Sequence, residues 1–585
     1  MIDNADANAD AAADAAADCW PRRAAARPRE PRLLADLIAH AAERTPQAVA
    51  LTSGVQTLDY AALAGAVQAV AAGLVQHGVQ RGERVAVWLD KRPETVVLCF
   101  AAAAAGAVFV PVNPLLKPAQ VAHILRDSGT CALLSTPERA VLLDGLWATL
   151  PALRRLILTA AAHELQVPAP VTVPVPVPEP ERSLPAVPVL HWAELLASAP
   201  RAGHRVIDSD MAAILYTSGS TGAPKGVVLS HRNLVVGATS VADYLDNRAD
   251  DTLLAVLPLS FDAGFSQLTT AFHAGARVVL LNHLVPRDVL LALERDKVTG
   301  LTAVPPLYMQ LAALDWPPAI NDHLRYFATT GGRMPLDTLR AIRQRVPRAR
   351  PFLMYGLTEA FRSTFLPPDE VDRRPDSIGR AIPNAEVLVL REDGSLCADN
   401  EPGELVHRGP LVGLGYWGDA EKTAQRYRPL PAHLVGPAGQ AGRVDGAAAT
   451  AGAGLQLPEV AVFSGDTVRR DAEGFLYFVG RRDEMIKTSG YRVSPTEVEA
   501  VLQASGLVGE CVAFGVDDAA LGQSVHVVAT PPAGGMTLDV PALLAVCRLQ
   551  MPAYMVPAQI VAARTALPRN PNGKLDRQQI VADHR

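Results

Sequence analysis

Lysine is scarce in this chain. Of 54 basic residues only 7 are lysines, so arginine serves almost wherever a cation is wanted. A basic excess is missing too: 60 acidic residues leave a formal charge of -6. That disfavours a nucleic-acid partner, which needs a positive surface for the phosphate backbone. The six cysteines (Cys19, Cys99, Cys131, Cys397, Cys511 and Cys547) include no C-x-x-C pair. A disulfide framework and a zinc site are both disfavoured, and a reducing compartment, the cytoplasm, is expected. A secretory leader is lacking as well. The first eighteen residues hold five Asp and no Lys or Arg, where a leader begins basic. One uncharged run, residues 95–116, is long enough for a bilayer, but Pro111 and Pro114 break it. A buried helix leading through Gly106 into a short strand is the better reading, with no membrane span. Disorder of the whole chain is excluded by 49% hydrophobic and 19% charged residues.

The pattern that remains is α/β. Leu63, Val67, Val70 and Leu74 fall at helical spacing after Asp59, a capping residue, and before Gly78. Residues 84–89 read as a buried strand and 92–105 as the next helix. Strand–helix alternation of this kind predicts layered sheets and helices. We expect a disordered Ala/Asp- and Arg/Pro-rich tail over 1–30 and a large N-terminal α/β domain over 31–480. A small α+β C-terminal domain follows over 481–585. Pro/Val-rich and Gly/Ala-rich insertions occupy about 164–188 and 432–458. In the C-terminal domain, Ser494 and Pro495 are expected to cap and open a helix.

The most informative stretch follows the apolar run 211–216. Thr217, Ser218, Gly219, Ser220, Thr221, Gly222, Ala223, Pro224, Lys225 and Gly226 bring four hydroxyls, three glycines and a lysine together. Glycines let backbone N–H groups turn toward an anion, hydroxyls donate to phosphate oxygens, and the lysine neutralises charge. The order differs from a Walker loop, because Lys225 stands between Pro224 and Gly226.

Further motifs follow in a fixed order: Tyr355-Gly356-Leu357-Thr358-Glu359, Ser464-Gly465-Asp466, Gly480-Arg481-Arg482-Asp483, Lys487-Thr488-Ser489-Gly490-Tyr491-Arg492 and Asn572-Gly573-Lys574-Leu575. With the loop, this set resembles the adenylate-forming superfamily over roughly residues 32–585. That superfamily holds acyl-CoA synthetases, luciferase-like proteins and peptide-synthetase adenylation domains. Within it the chain looks most similar to exosortase A-associated acyl-CoA ligases.

The resemblance implies a reaction in two halves. A carboxylic acid attacks the α-phosphate of ATP and expels pyrophosphate. The acyl group then passes to the thiol of CoA or of a carrier protein's phosphopantetheine. Both first reactants are anions, so a cation at ~4 Å, contributing about 4 kcal/mol at an effective dielectric of ~20, is on the right scale. By resemblance the loop from Thr217 to Lys225 holds the β- and γ-phosphates. Glu359 is the Mg2+ ligand and Thr358 reaches the α-phosphate. Tyr355 stacks on adenine, with Gly331, Gly332 and Gly356 beside it. Asp466 accepts the ribose hydroxyls, and Arg481 lies near ribose or phosphate. Lys574 bridges the substrate carboxylate and the α-phosphate. Asp483 is the hinge about which the C-terminal domain, a mobile lid on the ATP- and acyl-binding domain, rotates between the halves, and Gly490 leaves the pantetheine tunnel open.

The acid is less legible. By resemblance its pocket comprises Asp262, Ala263, Ser266, Ala303, Ala328, Thr330 and Met354. Asp262 follows Phe261, as in amino-acid-activating relatives, where this Asp holds the substrate amine. The competing reading has Asp262 satisfied by nearby hydroxyls or a structural Arg. Arg333 and Arg362 stand where small or acidic residues are usual, and either binds a second carboxylate or pairs with an acid. The alternative function is a freestanding amino-acid-adenylating enzyme that loads a separate carrier protein. The chain continues only eleven residues past Lys574, so no attached carrier domain is expected. A luciferase-like oxygenase finds no support in the pocket. His231, His273 and His407 lack partners at metal or triad spacing and are read as structural.

Overall fold

The computed structural model describes residues 30–159, 187–217, 224–434, 458–481, 485–532, 537–563, 566–568 and 575–584. The tail, most of both insertions, Ser218 to Gly222, Asp483 and Lys574 lie outside the described residues.

Three sheets organise the chain. One has eight strands, with Arg84–Trp88 between Val108–Pro111 and Thr130–Ser135 in parallel register. The second has 14 strands. Its parallel centre pairs Gly300–Ala303 with Tyr326–Thr329, and that strand with Arg350–Tyr355. The third, of five strands, begins after the second sheet ends: Leu476–Arg481 still pairs with Val460–Arg470, whereas Ile486–Thr488 pairs with Tyr491–Val493 and Gly522–Ala529.

Local chemistry sets the elements that carry the site. In helix Tyr60–Gln76 the Asp59 carboxylate accepts from Ala62 N at 2.7 Å, and Leu63, Val67, Val70 and Leu74 are buried. The run 95–116 divides as its residues dictate. Helix Pro93–Ala105 ends at Gly106, whose φ of 83° suits a residue without a side chain, and strand Val108–Pro111 follows. Among the described residues no helix is long and apolar enough to cross a membrane. Helix Pro495–Ala504 forms, but Ser494 makes no side-chain cap; its Oγ is 2.8 Å from Thr496 Oγ1 instead. Parallel strands present their C-terminal ends on one side, and in open α/β sheets ligands bind there.

Candidate active site

The C-terminal ends of both large sheets and one face of the small sheet enclose a cavity of about 580 Å3. Thr217, Asp262, Thr358, Arg362 and Asp466 line it from the large unit, and Lys487, Gly490, Tyr491 and Arg492 from the small one. A wider cleft of about 1300 Å3 runs past Gly331, Gly332, Tyr355 and Gly356 toward Lys487 and Gly490.

Strands Met211–Thr217 and Lys225–Ser230 form a hairpin in which Thr217 is paired with Lys225, so the phosphate-loop segment begins and ends at one place. The Lys225 ammonium sits 5.4 Å from the centre of the Tyr416 ring. Tyr416 in turn donates to Glu359 Oε1 at 2.7 Å. Burial first, then the neighbouring Lys422, pull the Lys225 pKa below the usual lysine range.

Glu359 is 3% exposed. Burial pushes its pKa up, yet Arg426 and Arg492 outweigh this and hold it below the usual carboxylate range. Its Oε2 is buried with no hydrogen-bond partner among the described residues. A buried, ionised oxygen with spare lone pairs suits a hard divalent cation. Among the described residues no group of three or more His, Cys, Asp or Glu could hold a metal by itself.

Asp466 is buried, and Tyr355 Oη donates to its Oδ2 at 2.5 Å. The two side chains that the sequence motifs assign to adenine and ribose are thus joined to each other. Arg481 is placed by its backbone, opposite Asp466 in the ladder. Thr358 Oγ1 lies 3.4 Å from Asp262 Oδ1.

The pocket residues divide into three groups. Asp262, Ala263 and Thr330 line the large cavity. Ala263, Ser266 and Met354 line a small inner void of about 20 Å3 with Thr302, Tyr326 and Arg362. Ala303 and Ala328 line neither and belong to the hydrophobic cores. Strand alternation explains the first of these: Ala303 shares a face with Leu301, so its neighbour Thr302 faces the void. Arg362 is 2% exposed; its Nη1 lies 3.8 Å from Asp262 Oδ2 and donates to Thr330 Oγ1 at 3.3 Å. Asp262 therefore has an internal cation. Arg333 is exposed, 3.9 Å from Asp376.

His231 and His407 are held within the fold. His231 Nδ1 accepts from Leu34 N at 3.2 Å and His407 Nδ1 meets Ser363 Oγ at 2.9 Å, and burial lowers both to about 4. Tyr416, Arg426 and Arg492 were not assigned from sequence. Only Arg492 lay in a recognised motif; the others reach Glu359 across the fold.

The small unit is docked on the large one. A Cβ at Gly490 would lie 2.7 Å from Val304 Cγ1. Phe261 meets Tyr491 edge-on at 5.4 Å, and Tyr491 stacks on Tyr554 at 3.8 Å. Gln120 Nε2 donates to Glu497 Oε1 at 3.0 Å, and burial raises the Glu497 pKa to about 7. A carboxyl raised by docking favours docking when protonated. That contribution is complete below the ordinary carboxylate range and is lost as pH rises through about 7. In Glu497→Gln, the rate of thiol transfer from supplied acyl-adenylate at pH 8, divided by that at pH 6, should exceed the wild-type ratio. An unchanged ratio would refute the linkage.

This combination of two large sheets, a docked small sheet and a phosphate-loop hairpin defines an adenylate-forming enzyme. The comparisons agree: the AMP-binding enzyme family matches residues 38–417, and the AMP-binding enzyme C-terminal domain matches 497–574. The chain belongs to this family and is an adenylate-forming acid–thiol ligase. It is 31% identical over 543 residues to a feruloyl-CoA synthase of Amycolatopsis, covering 91% of this chain and 95% of that one. An L-proline–[L-prolyl-carrier protein] ligase of Streptomyces coelicolor is 30% identical over 541 residues, at 91% and 93% coverage. Among solved structures, a double mutant of o-succinylbenzoate CoA synthetase from Bacillus subtilis, bound to a CoA product analogue, superposes with a TM-score of 0.73. Identity is 25%, and coverage is 93% of this chain and 97% of that one. The same synthetase with its acyl-adenylate gives 0.60 at equal identity and coverage. None of these names carries an exosortase association.

Proposed function

We propose that the chain joins a carboxylic acid to the α-phosphate of ATP and then transfers the acyl group to the thiol of CoA, in the docked orientation described above. The observation that supports this is the closeness of Gly490 to Val304, together with the cavity that Lys487 and Arg492 line with Thr217 and Thr358. The better match to the product-analogue form than to the acyl-adenylate form supports the same orientation.

In this reading Lys225 and the hydroxyls from Thr217 to Thr221 hold the β- and γ-phosphates. Thr358 positions the α-phosphate, and Asp466 and Tyr355 bind the nucleoside. Glu359 would hold Mg2+, which supplies positive charge against the phosphate oxygens. Tyr416 fixes the carboxylate by occupying one oxygen and leaving the other. The lid then swings about Asp483, removing Lys574 and bringing Gly490 in, so that one cleft serves both halves.

The thiol acceptor is CoA or a carrier-protein pantetheine. Arg362 stands 3.8 Å from Asp262 as an internal cation, although burial outweighs it and holds the Asp262 carboxyl above its ordinary range. An internal cation is consistent with an acid that carries no amine, and amino-acid loading is the second reading, which the carrier-protein ligase relative keeps in view. The test is AMP release with a panel of fatty, aryl and amino acids, comparing CoA with a pantetheinylated carrier protein. Formation of no AMP ester from any acid would refute the activity.

The metal role has its own test. Glu359→Gln should slow pyrophosphate exchange by roughly a hundredfold, a barrier rise of about 2.7 kcal/mol. It should also raise the Mg2+ concentration giving half-maximal rate. An unchanged Mg2+ requirement would remove Glu359 from the metal.

A further inference from the structure

The cavity wall carries a cationic group that neither half-reaction uses. Lys91 lies just beyond strand Arg84–Trp88 of one sheet, and Asn282 just beyond Arg277–Leu280 of the other. Asn282 ties the two together: its Oδ1 accepts from Lys91 N at 3.1 Å and its Nδ2 donates to Lys91 O at 2.9 Å. The Lys91 ammonium donates to Val256 O at 2.8 Å and lines the cavity. Its neighbour in sequence, Asp90, accepts from Arg139 Nη2 through both oxygens at 2.9 Å. Burial lowers the Lys91 pKa to about 8.

Two orphaned polar atoms belong to residues of the same wall. His283 Nδ1 and Ser260 Oγ are buried and have no partner among the described residues. Burial and then Lys91 lower the His283 pKa. Asp288, the acid nearby, is occupied by Leu284 N and Val285 N. The Lys91 ammonium is half-buried and Asp90, the acid whose charge reaches it, also accepts from Arg139, so an anionic ligand oxygen in the cavity would add to a shared counter-charge. Lysine is also rare in this chain, so a compact ammonium here is a specific use.

We propose that Lys91, His283 and Ser260 form an anion subsite that takes a carboxylate or phosphate group of a molecule filling the cavity. The inference rests on the ligase reading above. Two sources carry such a group: the far end of a dicarboxylic acid, and the phosphate of a phosphopantetheine arm.

Direct binding separates them. Calorimetric titration compares 4′-phosphopantetheine with pantetheine, and α,ω-dicarboxylates of graded length with the matching monocarboxylates. In the wild type the anionic member of one pair should bind at least about tenfold tighter, on the scale of one charge-assisted hydrogen bond. The pair that splits identifies the source. Lys91→Met should bring the ratio near one. His283→Asn should lower it in part, and serves if Lys91→Met does not fold. Equal affinity within both pairs, or a preference that survives Lys91→Met, would overturn the subsite. Failure of the ligase reading would appear separately, as absence of AMP ester from any acid.

Discussion

A leucine at Gly490 is expected to leave pyrophosphate exchange within a few-fold of wild type and to cut thioester formation by at least about a hundredfold. Two features of the glycine force this. Its φ of 82° is one that side-chain-bearing residues rarely adopt. Its absent Cβ leaves room for Val304, whose Cγ1, Cβ and Cγ2 would stand 2.7, 3.1 and 3.2 Å away. The docked lid has no such space. The orientation in which the adenylate forms does not require that contact, so the first half-reaction survives. CoA-dependent AMP release measures the second half directly. Wild-type release from the Gly490→Leu protein would show that the lid does not dock through this face during thiol transfer.

The mirror result is expected from Lys574→Ala. Adenylate formation should be abolished, while thiol transfer from supplied acyl-adenylate continues. Lys574 lies outside the described residues, so the prediction rests on the Asn572-Gly573-Lys574 motif and on charge. The acid and the α-phosphate repel, and a compact ammonium touching both removes most of that repulsion. Pyrophosphate exchange within about tenfold of wild type, a barrier change of only ~1.4 kcal/mol, would dismiss the lysine from that role. Together the two variants assign each half-reaction to one side of the lid.

The parts legible in the sequence were those whose chemistry is local. The stretch from Thr217 to Gly226 suggests a phosphate loop from ten adjacent residues alone, and the fold pairs Thr217 with Lys225 near its two ends. Helix Tyr60–Gln76 and its Asp59 cap were legible for the same reason. What was hidden depends on residues far apart in the chain. Tyr416 reaches Glu359 across 57 positions, and nothing near either residue signals the bond. Arg362 was noticed, but only the fold turns it toward Asp262. Ala303 was named as a pocket residue where Thr302 lines the void, because a four-residue strand buried at every position shows no alternation from which its facing can be set. Lys91 had a signal in the scarcity of lysine, but it sits outside the glycine-rich loops that drew attention to the others.

The pairing of Arg362 with Asp262 constrains any redesign of the pocket. Replacing Asp262 leaves the Arg362 guanidinium buried without its carboxylate, at a cost of several kcal/mol, whereas replacing Arg362 leaves a carboxyl that burial already holds above its ordinary range and that can take up a proton. Single-site libraries at position 262 will therefore yield mainly misfolded or inert protein. A new acid preference that alters Asp262 is reached only by randomising both codons together, and natural divergence at this spot is expected to come in coupled steps.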